Sequence, residues 1–316
     1  MKKVLYIVIP CYNEEDVIEE TTKKIKEKLK SLIKNDLISE NSKVMYVNDG
    51  SNDRTWELIK NIADNDRLFT GISLSRNKGH QNALLAGLMT AKEYADIIIS
   101  MDADLQDDIN AIDEMLSKYY QGNEIVYGVR SDRKTDSWFK RTTAQCFYKF
   151  MNVMGVELVY NHADYRLASK KVLEDLEKYG EVNLFLRGIF PTIGYKCDIV
   201  YYERHERFAG KSKYPLKKML SFAWDGITSF SVKPIRMILG LGLIIFFISI
   251  IMILYAIIKK ITGETVSGWT FTICSIWFIA GIQMFSLGVI GEYIGKVYNE
   301  TKKRPRYIIS ENLLNE

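Results

Sequence analysis

Residues 97–107 read IIISMDADLQD, a short apolar segment followed at once by Asp102 and Asp104. A helical pattern begins after this acidic loop, so the stretch predicts a buried strand, a polar loop and a helix. The same order occurs twice upstream, where the apolar segments 4–9 and 44–47 each precede a polar loop and a helix. Short strands that alternate with helices predict an α/β domain with a mainly parallel sheet.

The amino-acid composition of the chain argues against some classes of binding partner. The chain has 316 residues, of which 26% are charged, and its formal net charge is +4. Lysines and glutamates are interspersed, so this mild basic balance does not indicate a nucleic-acid partner. The four cysteines and three histidines lack the spacing of a zinc site or of a disulfide framework. We therefore expect reduced, structural cysteines.

Two apolar runs in the last third of the chain, residues 237–258 and 269–290, contain no charged side chain. Each run is long enough to cross a hydrocarbon core of roughly 30 Å, so we expect two transmembrane helices in the cell membrane. Lysines and arginines are concentrated at 296–306, after the second run. Because positive residues favour the cytoplasmic side, the C-terminus is expected there, and two spans place the N-terminal domain there too.

These features divide the chain into four parts. We expect an α/β domain at 1–210, an amphipathic segment at 211–234, a two-helix membrane anchor at 235–295 and a basic cytoplasmic tail at 296–316. The segment 211–234 mixes lysines with aromatic and aliphatic residues, as a helix in the membrane interface does. A solvated helix with one packed face is the alternative. The membrane helices are also a candidate contact for a homo-oligomer.

The acidic loop after residue 101 suits a divalent cation. Asp102 and Asp104 stand one residue apart at a strand end, and Gln106 adds an oxygen ligand of the type that Mg²⁺ or Mn²⁺ accepts. The same spacing of acids also occurs in helix caps and solvated turns. The strand-end position and Gln106 favour the metal site, where a bound cation would also meet a pyrophosphate.

The loop at 48–51, N-D-G-S, also follows a predicted strand. Its Asp49 could accept hydrogen bonds from a ribose or a base, or it could cap the helix that begins near Arg54. The basic loop at 76–79, R-N-K-G, precedes another helix, and we expect Gly79 to adopt a positive φ.

The segment P-C-Y-N-E-E at 10–15 is expected to end the first strand. It offers an aromatic ring and several hydrogen-bond acceptors at the same edge of the sheet. These groups suit one wall of a nucleotide site, and the alternative is a capped helix start.

Taken in order, the P-x-Y-N-E-E start, the N-D-G-S loop, the R-N-x-G loop and D-A-D-L-Q-D resemble family 2 glycosyltransferases of GT-A fold. The resemblance covers essentially the whole chain. With the two apolar runs and the tail motifs G-E-Y-I-G at 291–295 and R-P-R-Y at 304–307, the chain is most similar to bactoprenol (undecaprenyl-phosphate) glucosyltransferases. It is more distantly similar to dolichol-phosphate mannose synthases. This implies a Rossmann-like catalytic domain followed by interfacial helices and two transmembrane helices.

The resemblance also implies roles for single residues. The residues implied to line the nucleotide-sugar are Pro10, Tyr12, Glu14, Asp49 and Asp102. The residues implied to hold Mg²⁺ or Mn²⁺ are Asp102, Asp104 and Gln106, with Asp104 counted as catalytic. The polyprenyl-phosphate acceptor is implied to meet Arg130, Arg141, Arg207, Ser212 and Lys213. Ion pairs with Asp132 or Asp136 are the alternative for the first two arginines, and a plain lipid-surface contact is the alternative for the loop at 207–214.

Asp164 corresponds to the carboxylate usually regarded as the catalytic base in this family. The acceptor is a phosphate monoester with a second pKa of about 6, so it is already largely deprotonated at cytoplasmic pH and needs little help from a base. Asp164 could instead orient Arg166 or the acceptor.

The resemblance implies metal-dependent, inverting transfer of one hexose to undecaprenyl phosphate, for cell-envelope glycosylation. UDP-glucose is the favoured donor, followed by UDP-N-acetylglucosamine and GDP-mannose. A processive polysaccharide synthase is disfavoured because its Q-x-x-R-W signature is missing: no Arg directly precedes a Trp. An inactive membrane scaffold that only binds nucleotide is the alternative from another class, and the intact acidic residues disfavour it.

Overall fold

The computed structural model describes residues 2–131, 162–181, 184–203, 227–228, 231–262 and 268–315. The strands in these ranges are β1 (Leu5–Cys11), β2 (Lys43–Asn48), β3 (Phe69–Leu74), β4 (Ile97–Ser100), β5 (Ile125–Arg130), β6 (His162–Ser169), β7 (Cys197–Tyr202) and β8 (Ile309–Asn312). The α-helices are α1 (Ile18–Lys34), α2 (Thr55–Asn65), α3 (His80–Ala91), α4 (Ala111–Tyr120), α5 (Lys170–Glu177), α6 (Leu186–Thr192), α7 (Lys233–Ile261) and α8 (Trp269–Thr301).

The described strands form one sheet in the order β7-β5-β6-β4-β1-β2-β3-β8. Strands β4, β1, β2 and β3 are parallel neighbours, and β5 is parallel to β7. The predicted mainly parallel α/β sheet is therefore confirmed. Strand β6 runs antiparallel between β4 and β5, and β8 runs antiparallel to β3 at the edge.

Helices cover both faces of this sheet. On one face, α1, α2 and α4 pack through side chains such as Leu29, Ile59 and Met115. On the other, α3, α5 and α6 pack through residues such as Leu84 and Leu173. The central strands are buried on both sides, which explains why they are continuous apolar runs in the sequence.

The first strand is longer than expected. It was predicted to end at Pro10, but β1 continues through Pro10 to Cys11, paired with β2. A proline is tolerated there because β4 pairs with β1 only from Leu5 to Val8, so the missing N–H leaves no gap in that ladder. The polar loop that follows β1 therefore begins one residue later than predicted, at the carboxyl edge of the sheet.

The apolar runs form helices α7 and α8, which contain the expected spans 237–258 and 269–290. Within them, Lys233–Met252 and Phe278–Thr301 are long and apolar enough to cross a membrane, with mean hydropathies of 2.6 and 1.4. The amphipathic segment expected at 211–234 lies mostly outside the described residues.

The chain after α8 returns to the sheet. Strand β8 pairs with β3, and the Ser75 amide donates to the Ile308 carbonyl at 2.9 Å. The Glu311 carboxylate accepts from the Trp56 indole at 2.9 Å and meets Lys60 at 2.5 Å. The segment expected to be a basic tail thus contains an edge strand of the α/β domain.

The loop after β2 packs directly against the loop after β3. Gly50 has a φ of +62°, and a Cβ placed on it would lie 2.5 Å from both the Arg76 carbonyl carbon and the Asn77 amide nitrogen. Gly79 has a φ of +84°, as predicted, but a Cβ there would meet nothing within 4 Å. Glycine is therefore required at position 50 both by its positive φ and because a Cβ would overlap the neighbouring backbone. At position 79 only the positive φ requires it.

This difference predicts unequal effects of two alanine substitutions. We expect Gly50→Ala to lower the free energy of unfolding by about 2–4 kcal/mol, because left-handed strain adds to overlap with a neighbouring backbone. The matched control Gly79→Ala should cost about 1–3 kcal/mol from strain alone, because its φ of +84° and ψ of +154° suit only glycine. Unfolding of the full chain in detergent, followed by tryptophan fluorescence, measures both. Equal losses would contradict the close packing of the two loops.

Candidate active site

The carboxyl ends of the parallel strands bring the predicted polar loops to one edge of the sheet. The Asn13 amide donates to the Ser51 hydroxyl at 3.1 Å, and the Asn13 side chain accepts from the Asn52 amide at 2.9 Å. The Glu14 amide donates to the Thr55 hydroxyl at 2.9 Å. The loops after β1 and β2 are therefore joined into one wall, as expected for strand ends that share an edge.

Asp49 is buried at the centre of this wall. Its two carboxylate oxygens accept hydrogen bonds from the amides of Lys78 and Gly79, at 2.7 and 2.9 Å. Burial raises the pKa of Asp49, and the two amides and His80 oppose that rise. Asp49 does not cap α2, so the alternative reading of this residue is wrong. Its contacts fix the R-N-K-G loop over the end of β2.

The other residues expected at the nucleotide lie on the first loop. Pro10 is buried near the end of β1, and Tyr12 is 36% exposed beyond it. Glu14 is half-buried and accepts, through its carbonyl, the amides that begin the turn into α1. The structure thus places Pro10, Tyr12 and Glu14 on the same wall as Asp49.

Asp102 and Asp104 follow β4, the neighbour of β1. The Asp102 side chain is 35% exposed. Burial raises its pKa, and the carboxylates of Asp164 and Asp104 raise it further, against His80 and Arg187. Leu105 has a φ of +57°, and the Gln106 amide donates to Asp104 at 3.2 Å. Helix α4 begins several residues later, so Asp102 is not a helix cap.

The side-chain oxygens of the acidic loop are of the type that binds a divalent cation. Among the described residues, no group of three or more His, Cys, Asp or Glu side chains is arranged as a ready metal cage. Two carboxylates and an amide, Asp102, Asp104 and Gln106, leave positions that waters or phosphate oxygens of a substrate would fill. Because neighbouring carboxylates raise the pKa of Asp102, a cation there would relieve their repulsion.

His80 connects this loop to Asp164, and the sequence analysis missed it. Its Nε2 lies 3.8 Å from Asp102 Oδ1 and 3.4 Å from Asp164 Oδ2. Burial lowers the pKa of His80, but the hydrogen bond with Asp164 and the two carboxylate charges outweigh it, so the pKa is raised. The only local signal was its position directly after Gly79, at the start of α3.

Asp164 accepts hydrogen bonds from two arginines and a glutamine. Its Oδ1 accepts from Arg166 Nη2 at 2.6 Å and from Arg187 Nε at 3.2 Å. Its Oδ2 accepts from Arg187 Nη2 at 2.8 Å and from Gln81 Nε2 at 3.3 Å. Burial would raise the pKa of Asp164, yet Arg187, His80 and Arg166 together hold it well below its usual range.

A carboxylate held in this way is a weak base. Its oxygens are oriented by two guanidinium groups, and its lowered pKa gives it little affinity for a proton. The geometry therefore favours the orienting role that the sequence left open for Asp164. Arg166 itself is 1% exposed and stacks on the Phe190 ring, 4.4 Å from the centroid.

Arg130, expected at the acceptor phosphate, lies at the end of β5. Its Nη2 is 3.7 Å from Asp107 Oδ1, and its Nε donates to the Tyr202 hydroxyl at 3.4 Å. The Tyr202 hydroxyl donates to Asp107 at 2.5 Å. Burial, followed by the charge of Asp102, raises the pKa of Asp107 to about 6.

Asp107 is thus a second residue that the sequence analysis missed, although it closes the quoted D-A-D-L-Q-D motif. Arg187 is a third, and its signal was a lone charge within the apolar run FLRGIF at 185–190. The other residues expected at the acceptor lie outside the described residues: Arg141, Arg207, Ser212 and Lys213.

Comparisons with known proteins show the family to which the chain belongs. Residues 6–177 match the family described as Glycosyl transferase family 2, and residues 233–297 match the family described as GtrB C-terminal hairpin. The uncharacterized glycosyltransferase YkoT of Bacillus subtilis (strain 168) is 55% identical over 313 residues, covering 99% of this chain and 93% of that protein.

Two further relatives carry more specific names. The prophage bactoprenol glucosyl transferase homolog of Escherichia coli (strain K12) is 41% identical over 305 residues, covering 96% of this chain and 97% of that protein. The bactoprenol glucosyl transferase of Shigella phage SfX is 39% identical, with the same coverage of both chains.

The contacts of Asp164 predict a large loss of stability in Asp164→Asn. We expect the free energy of unfolding to fall by about 3–5 kcal/mol near neutral pH, because Arg166 would remain buried without its anion. Asp36→Asn, which breaks the exposed pair with Lys2, should cost under about 1 kcal/mol.

The pH dependence of this loss has a definite sign. The folded pKa of Asp164 lies below its unfolded value of about 3.9, so its stabilising contribution is complete above that pH and is lost as the pH falls through the folded pKa. The difference between wild type and Asp164→Asn should therefore persist down to about pH 4 and narrow below it. Unfolding curves across this range measure it, and a difference that vanished by about pH 6 would contradict the ion pair.

Proposed function

The chain belongs to glycosyl transferase family 2, and from that premise we propose that it moves one hexose from a nucleotide-sugar to undecaprenyl (polyprenyl) phosphate. The chain is a glycosyltransferase. The observation that carries the finer proposal is the combination of an acidic strand-end site with the apolar hairpin of α7 and α8. Relatives that align over nearly their whole length are named for bactoprenol, which supports a lipid phosphate acceptor.

In the proposed site, Asp102, Asp104 and Gln106 would hold Mg²⁺ or Mn²⁺. A bound cation would supply positive charge for the departing diphosphate. Pro10, Tyr12, Glu14 and Asp49 would line the nucleoside on the wall formed by the loops after β1 and β2. Asp49 suits this role because the Lys78 and Gly79 amides hold its carboxylate in one position while each oxygen keeps a second lone pair.

The chemical step would be a single in-line displacement. A phosphate oxygen of the acceptor forms a bond to the anomeric carbon, while the bond to the donor diphosphate breaks and UDP departs, so the configuration inverts. The acceptor phosphate, with a second pKa of about 6, is already largely dianionic and needs no proton removed. Asp164 would accordingly act by orienting its neighbours, and the enzyme would work by positioning and charge.

The acceptor phosphate would lie beside Arg130. Asp107 and Tyr202 hold this arginine at the end of β5, which keeps its guanidinium near the acidic loop. We propose the same partner for Arg141, Arg207, Ser212 and Lys213, in the parts of the chain outside the described ranges.

The hairpin would anchor the catalytic domain at the cytoplasmic face of the membrane. Strand β8 follows α8 in the chain and pairs with β3 of the domain that precedes α7. Because one sheet cannot extend across a bilayer, this pairing supports a hairpin whose two ends lie on the same side of the membrane. The basic residues after α8 favour the cytoplasm for that side.

One assay tests the reaction and the donor together. Purified full-length protein is incubated with undecaprenyl phosphate, Mn²⁺ and one labelled donor at a time: UDP-glucose, UDP-N-acetylglucosamine or GDP-mannose. We expect label from UDP-glucose to enter the lipid phase. Transfer from another donor would correct the sugar, and a chain that binds UDP but labels lipid from none of them would be an inactive scaffold.

The metal assignment gives a separate prediction. We expect Asp102→Asn and Asp104→Asn to reduce turnover by at least about a hundredfold, because leaving-group stabilisation would be lost. Removal of divalent ions with a chelator should act likewise, and added Mn²⁺ should restore only the wild type. Asp113→Asn, which breaks an exposed pair with Lys28, is the control and should retain turnover. Wild-type rates in metal-free buffer would refute the assignment.

A further inference from the structure

The chain after α8 returns to the α/β domain through residues 306–314, here called the C-terminal strap. Arg306 Nη2 donates to the Tyr179 carbonyl at 2.5 Å. Tyr307 and Leu314 are partly buried against the same apolar core as α3 and α5. Between these contacts lies β8, which pairs with the sheet. The strap therefore docks on the domain at several points along its length.

Strand β8 pairs with one half of β3. Among the described residues, its partners on β3 are Ile72, Ser73 and Leu74, at the carboxyl end of the strand. The register shifts between Ser73 and Leu74, which leaves Ser310 as an extra residue of β8. The Ser310 hydroxyl donates to the Ser73 carbonyl at 3.0 Å. A strand that only covered an exposed edge would gain most by pairing along its whole length. The pairing is instead concentrated at the end of β3 that borders the site.

The same end of β3 is bonded, on its other side, to the loop that carries Asp49. Ser73 pairs with Asn48 of β2, and the Ser73 hydroxyl accepts from Asn48 Nδ2 at 2.9 Å. Asn48 Oδ1 in turn accepts from the Ser51 amide at 3.1 Å. Asp49 stands between these two residues in the chain. Ser73 thus joins the strap to the wall formed by the loops after β1 and β2.

The R-N-K-G loop begins directly beyond β3 and has no apolar side chain to hold it. Residues 75–79 read S-R-N-K-G, and most of them are exposed. Such a segment keeps its position through hydrogen bonds rather than through apolar burial. At its start, the Ser75 amide donates to the Ile308 carbonyl of the strap at 2.9 Å. At its other end, its last two amides donate to Asp49 at 2.7 and 2.9 Å. The strap therefore holds the beginning of the loop whose end fixes Asp49.

We propose that the C-terminal strap positions the donor site: by bonding the end of β3, it holds the R-N-K-G loop where Asp49 receives the nucleoside of the donor. This inference rests on the proposed function and adds a segment to it. The donor binds the fraction of molecules whose site is formed, so a loop that is ordered less of the time lowers the apparent affinity in proportion. The strap acts through the backbone of β3, which Ile308 and Ser310 contact, and not by touching the nucleotide.

Two adjacent isoleucines of the strap allow a matched comparison. The Ile308 side chain is 55% exposed. The Ile309 side chain is partly buried against the core, and its backbone pairs with Leu74. Ile308→Asp and Ile309→Asp add the same charge at neighbouring positions. Only Ile309→Asp places that charge in an apolar contact, so only this variant should detach the strap.

The experiment compares full-length wild type, Ile309→Asp and Ile308→Asp in detergent. Hydrogen exchange, followed by mass spectrometry, reports on the amides of Lys78 and Gly79. Calorimetric titration with UDP and Mn²⁺ gives the donor affinity, and thermal unfolding gives the stability of each variant. Leu29→Ala is a further control, because it removes buried contacts of α1 and leaves the strap intact.

We expect Ile309→Asp to speed the exchange of both amides at least about tenfold and to weaken UDP binding at least about fivefold, because the loop would be formed less of the time. Ile308→Asp should keep both quantities within about twofold of wild type. Leu29→Ala should lower the unfolding temperature without changing UDP affinity, which separates a local effect from a general loss of stability.

The proposal is overturned if folded Ile309→Asp keeps UDP affinity within about twofold of wild type, or if Ile308→Asp weakens it equally. Should Ile309→Asp fail to fold, Ile309→Ala and Ile308→Ala decide by the same criterion. Failure of the proposed function looks different, because the wild type itself would then label no lipid from any donor, while the UDP titration would still judge the strap. If the wild type bound no UDP either, amide exchange would be the criterion, and unchanged exchange in Ile309→Asp would overturn the proposal.

Discussion

Arg166 is a fully enclosed cation in the middle of a β-sheet, and a charge buried so deeply has to be matched inside the protein. Asp164 supplies the match from two residues earlier, on the same face of β6. The same carboxylate also receives Gln81 from the start of α3 and Arg187 from α6. One ion pair therefore sets the relative positions of three elements that border the site, β6, α3 and α6. The geometry of the site depends on the need to neutralise Arg166.

The negative and positive side chains around this ion pair lie on different elements of the fold. The loop after β4 carries Asp102, Asp104 and Asp107, while Arg130 and Arg187 approach from β5 and α6. Burial is the main cause of the raised pKa of Asp107, and the charge of Asp102 adds to the rise. Charges separated in this way fit the proposed reaction, which brings several phosphates together and needs no strong base. That agrees with a reaction in which the nucleophile arrives already ionised.

The sequence predicted the features that depend on neighbouring residues and missed those that depend on contacts between residues far apart in the chain. Strand β4 and its acidic loop were predictable because apolar runs and turn residues act over a few positions. Strand β6 was not predicted because two of its residues, Asp164 and Arg166, are charged and yet buried, which interrupts the apolar run by which the other strands were identified. Strand β8, with the sequence ISEN, contains one apolar residue, Ile309, which is too little for an apolar pattern. His80 and Arg187 could not be assigned because their partner, Asp164, is distant in the chain, and only the folded sheet brings them together.

Strand β8 has a consequence for how the protein is made. A ribosome synthesises α7 and α8 before β8, so β8 cannot pair with the edge of β3 until both apolar helices have been made. Exposed strand edges are prone to pair with other chains, and the nascent domain carries this hazard until synthesis reaches β8. A hairpin inserted with its ends on opposite faces would leave β8 out of reach of β3. With the membrane hairpin proposed above, β8 would therefore join the sheet only in molecules whose α7 and α8 were inserted with both ends on the same side.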